Sequence, residues 1–138
     1  MTKRQQNSYQ DRMELTRNGW QLHSKTDHIA FNGGSETVDH LVGKAVAAKA
    51  LREIGYRVAS EVAKDNVGEI DLVGYGHDSR EMIGIEIETD LRREIILDKY
   101  ERYCVNEPVT EIFAFDPEDL PDDLEDAVDH VKEDIAYE

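Results

Sequence analysis

The chain has 138 residues, a formal net charge of −15, and 31 acids against 16 lysines and arginines. Such a length suits one domain with a modest core, and a single cysteine, Cys104, excludes both an intramolecular disulfide framework and a cysteine-based zinc centre. No apolar run is long enough to span a bilayer, and the opening Met1-Thr2-Lys3-Arg4-Gln5 has no apolar stretch behind its charges, so a reducing, cytoplasmic setting without membrane contact is expected.

The charge is uneven. Residues 1–25 hold five bases against two acids, a surplus of three that leaves −18 for the rest of the chain. A body this acidic repels nucleic acid at ordinary ionic strength, which counts against a general DNA-binding surface. The acid-rich, lysine-poor composition resembles that of haloarchaeal proteins, whose concentrated salt screens self-repulsion over about 3 Å or less. On that reading the charge reports the solvent rather than the partner, and a halophilic, archaeal source is expected.

In chain order, residues 1–35 read as a polar, partly basic arm, with a short helix around Gln10 to Arg17, a break at Gly33-Gly34 and a lone Trp20 able to tack the arm onto the rest of the chain. The domain proper is expected over residues 36–138. Val38, Leu41, Val42, Ala45, Ala48 and Leu51 recur at helical spacing behind Ser35, Glu36 and Asp39, so a first helix is predicted from Glu36 to Ile54, ended by Gly55. Tyr56 to Val62 reads as a strand. Two further strands come next, Glu69 to Val73 and Ile83 to Glu88, joined through Gly74-Tyr75-Gly76-His77-Asp78-Ser79. Thr89 or Asp90 caps a second helix, with Leu91, Ile95, Ile96, Tyr100 and Tyr103 as its buried stripe and Pro108 closing it. Thr110 to Phe115 is a fourth strand, and Leu120, Leu124, Val128, Val131 and Ile135 line one face of a last helix. The predicted class is α/β, in the order α-β-β-β-α-β-α, with a central mixed sheet flanked by helices.

The chemistry concentrates in Gly68-Glu69-Ile70-Asp71-Leu72-Val73 and Ile83-Gly84-Ile85-Glu86-Ile87-Glu88. Both alternate apolar and acidic residues with period two. Antiparallel pairing would line a core with Ile70, Leu72, Ile85 and Ile87 and set Glu69, Asp71, Glu86 and Glu88 on the opposite face. Asp71 and Glu86 would then converge on one hard cation, a candidate Mg²⁺ site. In so acidic a chain, a strand face that merely meets solvent gives the same pattern.

A helix, three strands carrying Asp and then Glu-x-(polar residue), a helix and a strand together resemble the PD-(D/E)xK nuclease superfamily, the restriction-endonuclease-like fold. The resemblance covers about residues 36–115 and rests on Leu51-Arg52-Glu53-Ile54-Gly55-Tyr56, on Gly68-Glu69-Ile70-Asp71-Leu72-Val73 and on Ile85-Glu86-Ile87-Glu88. It implies metal-assisted hydrolysis of phosphodiester bonds in nucleic acid, DNA first, with Mg²⁺ or Mn²⁺ held by Asp71, Glu86 and the Ile87 carbonyl. Either such an endonuclease or an inactive nuclease-fold binding or assembly subunit is consistent with the motifs, with a homodimer left open.

Two positions depart from the family pattern. Glu88 stands where the family carries lysine, and resembles some restriction enzymes of this fold in that respect. Lys44 occupies the first-helix position at which many members carry glutamate, with His40 one turn earlier on the same face. A His-x-x-x-Lys pair there resembles several poorly characterised branches of the superfamily. The resemblance casts Glu88 as a further ligand or as the residue orienting the attacking water, and Lys44 as the positive charge beside the scissile phosphate. His40 has a packing or solvent role as its alternative, and Lys99 and Arg92 of the second helix face either phosphate or solvent.

Overall fold

Thr2 caps helix α1 (Lys3–Arg17): its hydroxyl accepts from the Gln5 N–H at 3.1 Å, and the Gln5 side chain accepts from the Thr2 N–H at 2.8 Å. The computed structural model describes residues 2–22, 37–88, 93–104 and 108–136, so the expectations placed on Gly33-Gly34, Ser35, Glu36, Thr89, Asp90, Leu91 and Arg92 lie outside the described residues. Helix α1 is longer than the predicted Gln10 to Arg17 segment because the cap sits eight residues further back. It docks through buried Leu15 and through Asp11, which accepts from the Gly76 N–H at 2.8 Å and from Arg80 at 2.6 Å. Strand β1 (Trp20–Gln21) then pairs antiparallel with β2 (Arg57–Lys64), placing Trp20 opposite Lys64. The tryptophan does anchor this part of the arm, and it does so as an added strand.

Helix α2 (Val38–Glu53) is capped by Thr37 and stops at Gly55, whose φ of +102° suits glycine. Strands β2, β3 (Gly68–Tyr75) and β4 (Met82–Ile87) form an antiparallel meander. Helix α3 (Arg93–Cys104) carries the chain to β5 (Val109–Phe115), which lies parallel to β4 as a strand returning through a helical crossover can. A 3₁₀ turn (Pro117–Asp119) and helix α4 (Leu124–Ala136) complete the order. The fold is thus α/β, with a five-stranded mixed sheet ordered β1-β2-β3-β4-β5 and flanked by helices. Among the described residues no helix is long and apolar enough to cross a membrane.

Each face of the sheet has its own core. On one, Ala47, Leu51, Val58, Leu72, Ile85, Ile87, Val128 and Val131 pack α2 and α4 against the strands. On the other, Leu15, Trp20, Val62, Ile70, Val73, Tyr103 and Val109 pack α1, β1 and α3. The helical stripes are narrower than expected. Tyr100 on α3 is 46% exposed and Leu124 on α4 is 62% exposed, because Tyr103 and Cys104, and Ala127 and Val128, make the contacts instead.

The expected core quartet of Ile70, Leu72, Ile85 and Ile87 is also split, since Ile70 lies in one core and Leu72 in the other. Residues two apart on a regular strand share a face. The same exchange occurs in β2, where Val58 and Val62 belong to opposite cores. Between them Glu61 has φ of +52°, a left-handed conformation costing a non-glycine residue about 1–2 kcal/mol. With Ser60 opposite Leu72 and Val62 opposite Ile70, Glu61 and Asp71 face each other at the point where both strands turn over.

Candidate functional site

Helix α2 can approach this point closely because residue 43 is glycine: a Cβ there would lie 2.9 Å from Ile87 Cγ2. His40 and Lys44, one turn apart, therefore reach the two acids that face each other across β2 and β3. His40 Nε2 lies 3.3 Å from Asp71 Oδ2, and Lys44 Nζ lies 2.5 Å from Glu61 Oε1. The same Asp71 oxygen accepts the Ile87 backbone N–H at 2.8 Å, which fixes the aspartate against the end of β4. Ile87 thus enters the site through its amide. The carbonyl is the group that the resemblance assigns to a cation.

Glu86 points to the opposite face from Ile85 and Ile87, toward α3. It is only 3% exposed, and its Oε2 lies 3.5 Å from Lys99 Nζ. Lys99 also reaches Glu88 Oε2 at 3.4 Å. Burial comes first among the causes that push the Glu86 carboxyl up to about 9, followed by the charge and hydrogen-bonding approach of Asp71, with Lys99 opposing them. Burial opposes the Lys99 charge, but Glu86, Tyr103 and Glu88 outweigh it and raise its pKa above the ordinary lysine value. Glu69 is held up at about 7, first by the neighbouring Glu61 carboxyl and then by burial. Tyr103 donates its hydroxyl to the Glu69 carbonyl at 3.1 Å and so ties α3 to β3.

Of the residues singled out from sequence, His40, Asp71, Glu86 and Glu88 gather in one cluster, with Ile87 contributing its amide. Lys44 is fully buried and pairs with Glu61. The positive charge next to Glu86 and Glu88 comes from Lys99 on α3. Glu61 is absent from the residues that the sequence pattern brings forward. Its signal is an acid inside the otherwise apolar and small run Val58-Ala59-Ser60-Glu61-Val62-Ala63, where a solvated strand face would alternate.

The donor set fits a hard divalent cation in a limited way. Among the described residues no group of three or more His, Cys, Asp or Glu is arranged to hold a metal ion. Asp71 and Glu86 nevertheless converge, and Glu86 Oε1 is buried without a hydrogen-bond partner. Mg²⁺ commonly keeps several waters and takes only one or two carboxylates, which is the number this pair offers.

Fold and site together define an α/β protein with an acid and lysine cluster where the central strands meet α2 and α3. Compared with known protein families, curated proteins and solved structures, the chain matches none.

Proposed function

We propose that this chain is a metal-dependent nuclease-like protein that hydrolyses phosphodiester bonds of DNA or RNA, as the PD-(D/E)xK resemblance implies. The observation that carries this reading is the convergence of Asp71 and Glu86 from adjacent strands beside Lys99, whose ammonium stands next to the Glu88 position that lysine holds in the family. Asp71, Glu86 and the Ile87 carbonyl would hold Mg²⁺ or Mn²⁺. When bound, such an ion polarises the phosphate and lowers the pKa of a coordinated water.

The chain's own residues prepare that chemistry. The Ile87 amide and His40 orient one Asp71 oxygen, leaving the carboxylate little rotamer freedom. Glu86 holds its proton at neutral pH, and would give it up to ligate a cation. Lys99 is a cation on a helix that faces the site, able to offset charge that builds on a phosphate oxygen. Glu88 shares that lysine and can accept a proton from water.

The test is cleavage of single-stranded, duplex and branched DNA and RNA at several salt concentrations with Mg²⁺ or Mn²⁺, beside Asp71→Asn and Glu86→Gln. Cleavage by the native chain and its loss in both variants supports the proposal. No cleavage of any substrate, or equal cleavage by the variants, overturns it. Two observations favour a second reading, an inactive nuclease-fold binding or assembly subunit: Lys44 is buried in a pair with Glu61, and the motif position holds Glu88. Failure to bind Mn²⁺ in a calorimetric titration would favour that alternative.

A further inference from the structure

Three non-glycine residues among those described hold a positive φ: Glu61, Asn66 and Arg80. Asn66 and Arg80 lie in connections between strands, where such a conformation turns the chain. Glu61, at +52°, lies inside β2. Backbone strain of this kind persists only where the surroundings over-determine it. Here Lys44 of α2 does so, with its Nζ 2.5 Å from Glu61 Oε1 and both side chains more than nine-tenths buried. Stability alone does not account for the arrangement. A left-handed strand residue costs the fold energy, and an enclosed ion pair returns no more than well-packed apolar side chains in its place often do.

What the conformation changes is the residue opposite. Pairing of β2 with β3 keeps one register on both sides of Glu61, with Ser60 opposite Leu72 and Val62 opposite Ile70, so no residue is inserted and the turn-over is conformational alone. Leu72 packs in the core beneath α2 and α4. Plain alternation would therefore point Asp71 toward α3, side by side with Glu86, and Ile70 back toward α2. Ile70 packs in the other core instead. Asp71 Oδ2 accepts the Ile87 N–H at 2.8 Å, beyond the last β3–β4 pair of Leu72 with Ile85, and stands 3.3 Å from His40 Nε2 on α2. From that position the carboxylate still approaches Glu86.

We infer that Glu61 is a positioning residue for the Asp71 and Glu86 site: its left-handed backbone, clamped by Lys44, turns β3 over and so carries the Asp71 carboxylate to the Ile87 amide and His40. The use of that placement to hold a cation rests on the nuclease-like reading. The placement itself does not, so the two are tested apart.

Lys44→Met is combined with either Glu61→Gly or Glu61→Val, so that both chains lack the ion pair and differ in the backbone conformation that position 61 accepts. Glycine takes a positive φ freely, whereas a β-branched residue resists it. The readouts are hydrogen exchange of the Ile87 amide by NMR in metal-free protein, and Mn²⁺ affinity by calorimetric titration. Asp71→Ala defines the exchange of an Ile87 amide that has lost its acceptor. The glycine chain should match the native chain in both readouts. The valine chain should match Asp71→Ala at Ile87, with the amides of Ile83 and Ile85 inside the paired part of β4 unchanged, and should bind Mn²⁺ about 10–100-fold more weakly. If the valine chain does not fold, Glu61→Ala takes its place, since alanine also disfavours the left-handed region. Native-like Ile87 exchange in the valine or alanine chain overturns the proposal. So does equal loss of protection in the glycine chain, which would give the positioning to the charge pair rather than to the backbone. No Mn²⁺ binding or cleavage by the native chain, with Ile87 protected in the glycine chain and released in the valine chain, removes the hydrolase and keeps the positioning role. Cleavage by the native chain, with Ile87 exchange alike in all three, removes the positioning role and keeps the hydrolase.

Discussion

Lys44 and Glu61 form an enclosed ion pair, 2.5 Å from Nζ to Oε1, that spans from α2 to the left-handed residue of β2. Taking one member away leaves the other charged and buried, at a cost of about 3–5 kcal/mol, whereas replacing both by apolar groups is often near neutral. Lys44→Met should therefore lower the urea midpoint strongly, and Lys44→Met with Glu61→Leu should recover most of the loss. A Lys44→Met chain of native stability that fails to cleave would return this lysine to the catalytic role that its sequence position suggests.

Stability should fall as pH rises. Glu86 titrates at about 9 in the fold against an ordinary value of 4.5, so between those values the folded chain holds a proton that the unfolded chain has lost. This contribution is fully present below about 4.5 and disappears as pH passes through about 9. Glu69 acts in the same sense up to about 7. Glu86→Gln should flatten the urea midpoint between about pH 5 and pH 9, and curves parallel to the native chain would contradict the assignment. Cation binding displaces the Glu86 proton, so Mn²⁺ affinity should climb over the same range.

Lys99 is expected to matter for rate rather than for folding, because it is part-exposed and its partners are two strand acids. Removing a group that offsets transition-state charge typically costs about 10²–10³ in kcat. Lys99→Met should reduce cleavage by that order with a small change in melting temperature. Adding Glu88→Lys, which puts an ammonium at the family position, should restore part of the rate. Unchanged cleavage in Lys99→Met would show that the lysine only balances charge.

Gly43→Ala tests the close approach of α2 to β4. A new Cβ would sit 2.9 Å from Ile87 Cγ2, an overlap that neither element avoids without moving. Alanine gains about 1 kcal/mol of helix propensity, against about 1–3 kcal/mol for overpacking. The expected result is a net loss of up to about 2 kcal/mol in urea titration, with weaker Mn²⁺ binding because α2 carries His40 away from Asp71. Higher stability would mean that the helix has room to spare.

Much of the fold comes from local pattern. The 3.6-residue period behind Thr37, the period-two alternation of β3 and β4 and the stops at Gly55 and Asp116-Pro117 are properties of neighbouring residues, so the helices and strands fall close to where the sequence puts them. The N-terminal helix exceeds its expected length because few of its residues are apolar and its attachment is polar, leaving little periodic signal to read. Strand alternation puts Glu86 opposite Ile85 and Ile87, and helical spacing puts His40 one turn before Lys44, whereas Asp71 lies where alternation breaks and its side is not read from the pattern.

Tertiary structure alone decided the rest. Strict alternation puts Ile70 and Leu72 on one face, and the left-handed Glu61, opposite Asp71, is what separates them into two cores. Nothing local in the sequence encodes that reversal, because its stabilising partner, Lys44, is 17 residues away on another element. The exchange of lysines has the same origin. Helical spacing offers Lys44 to the site, and burial at 0% exposure demands a counter-charge, which Glu61 of β2 supplies. Lys99 reaches Glu86 and Glu88 only because α3 crosses the sheet face to which Glu86 points, a relation set by packing between elements distant in the chain.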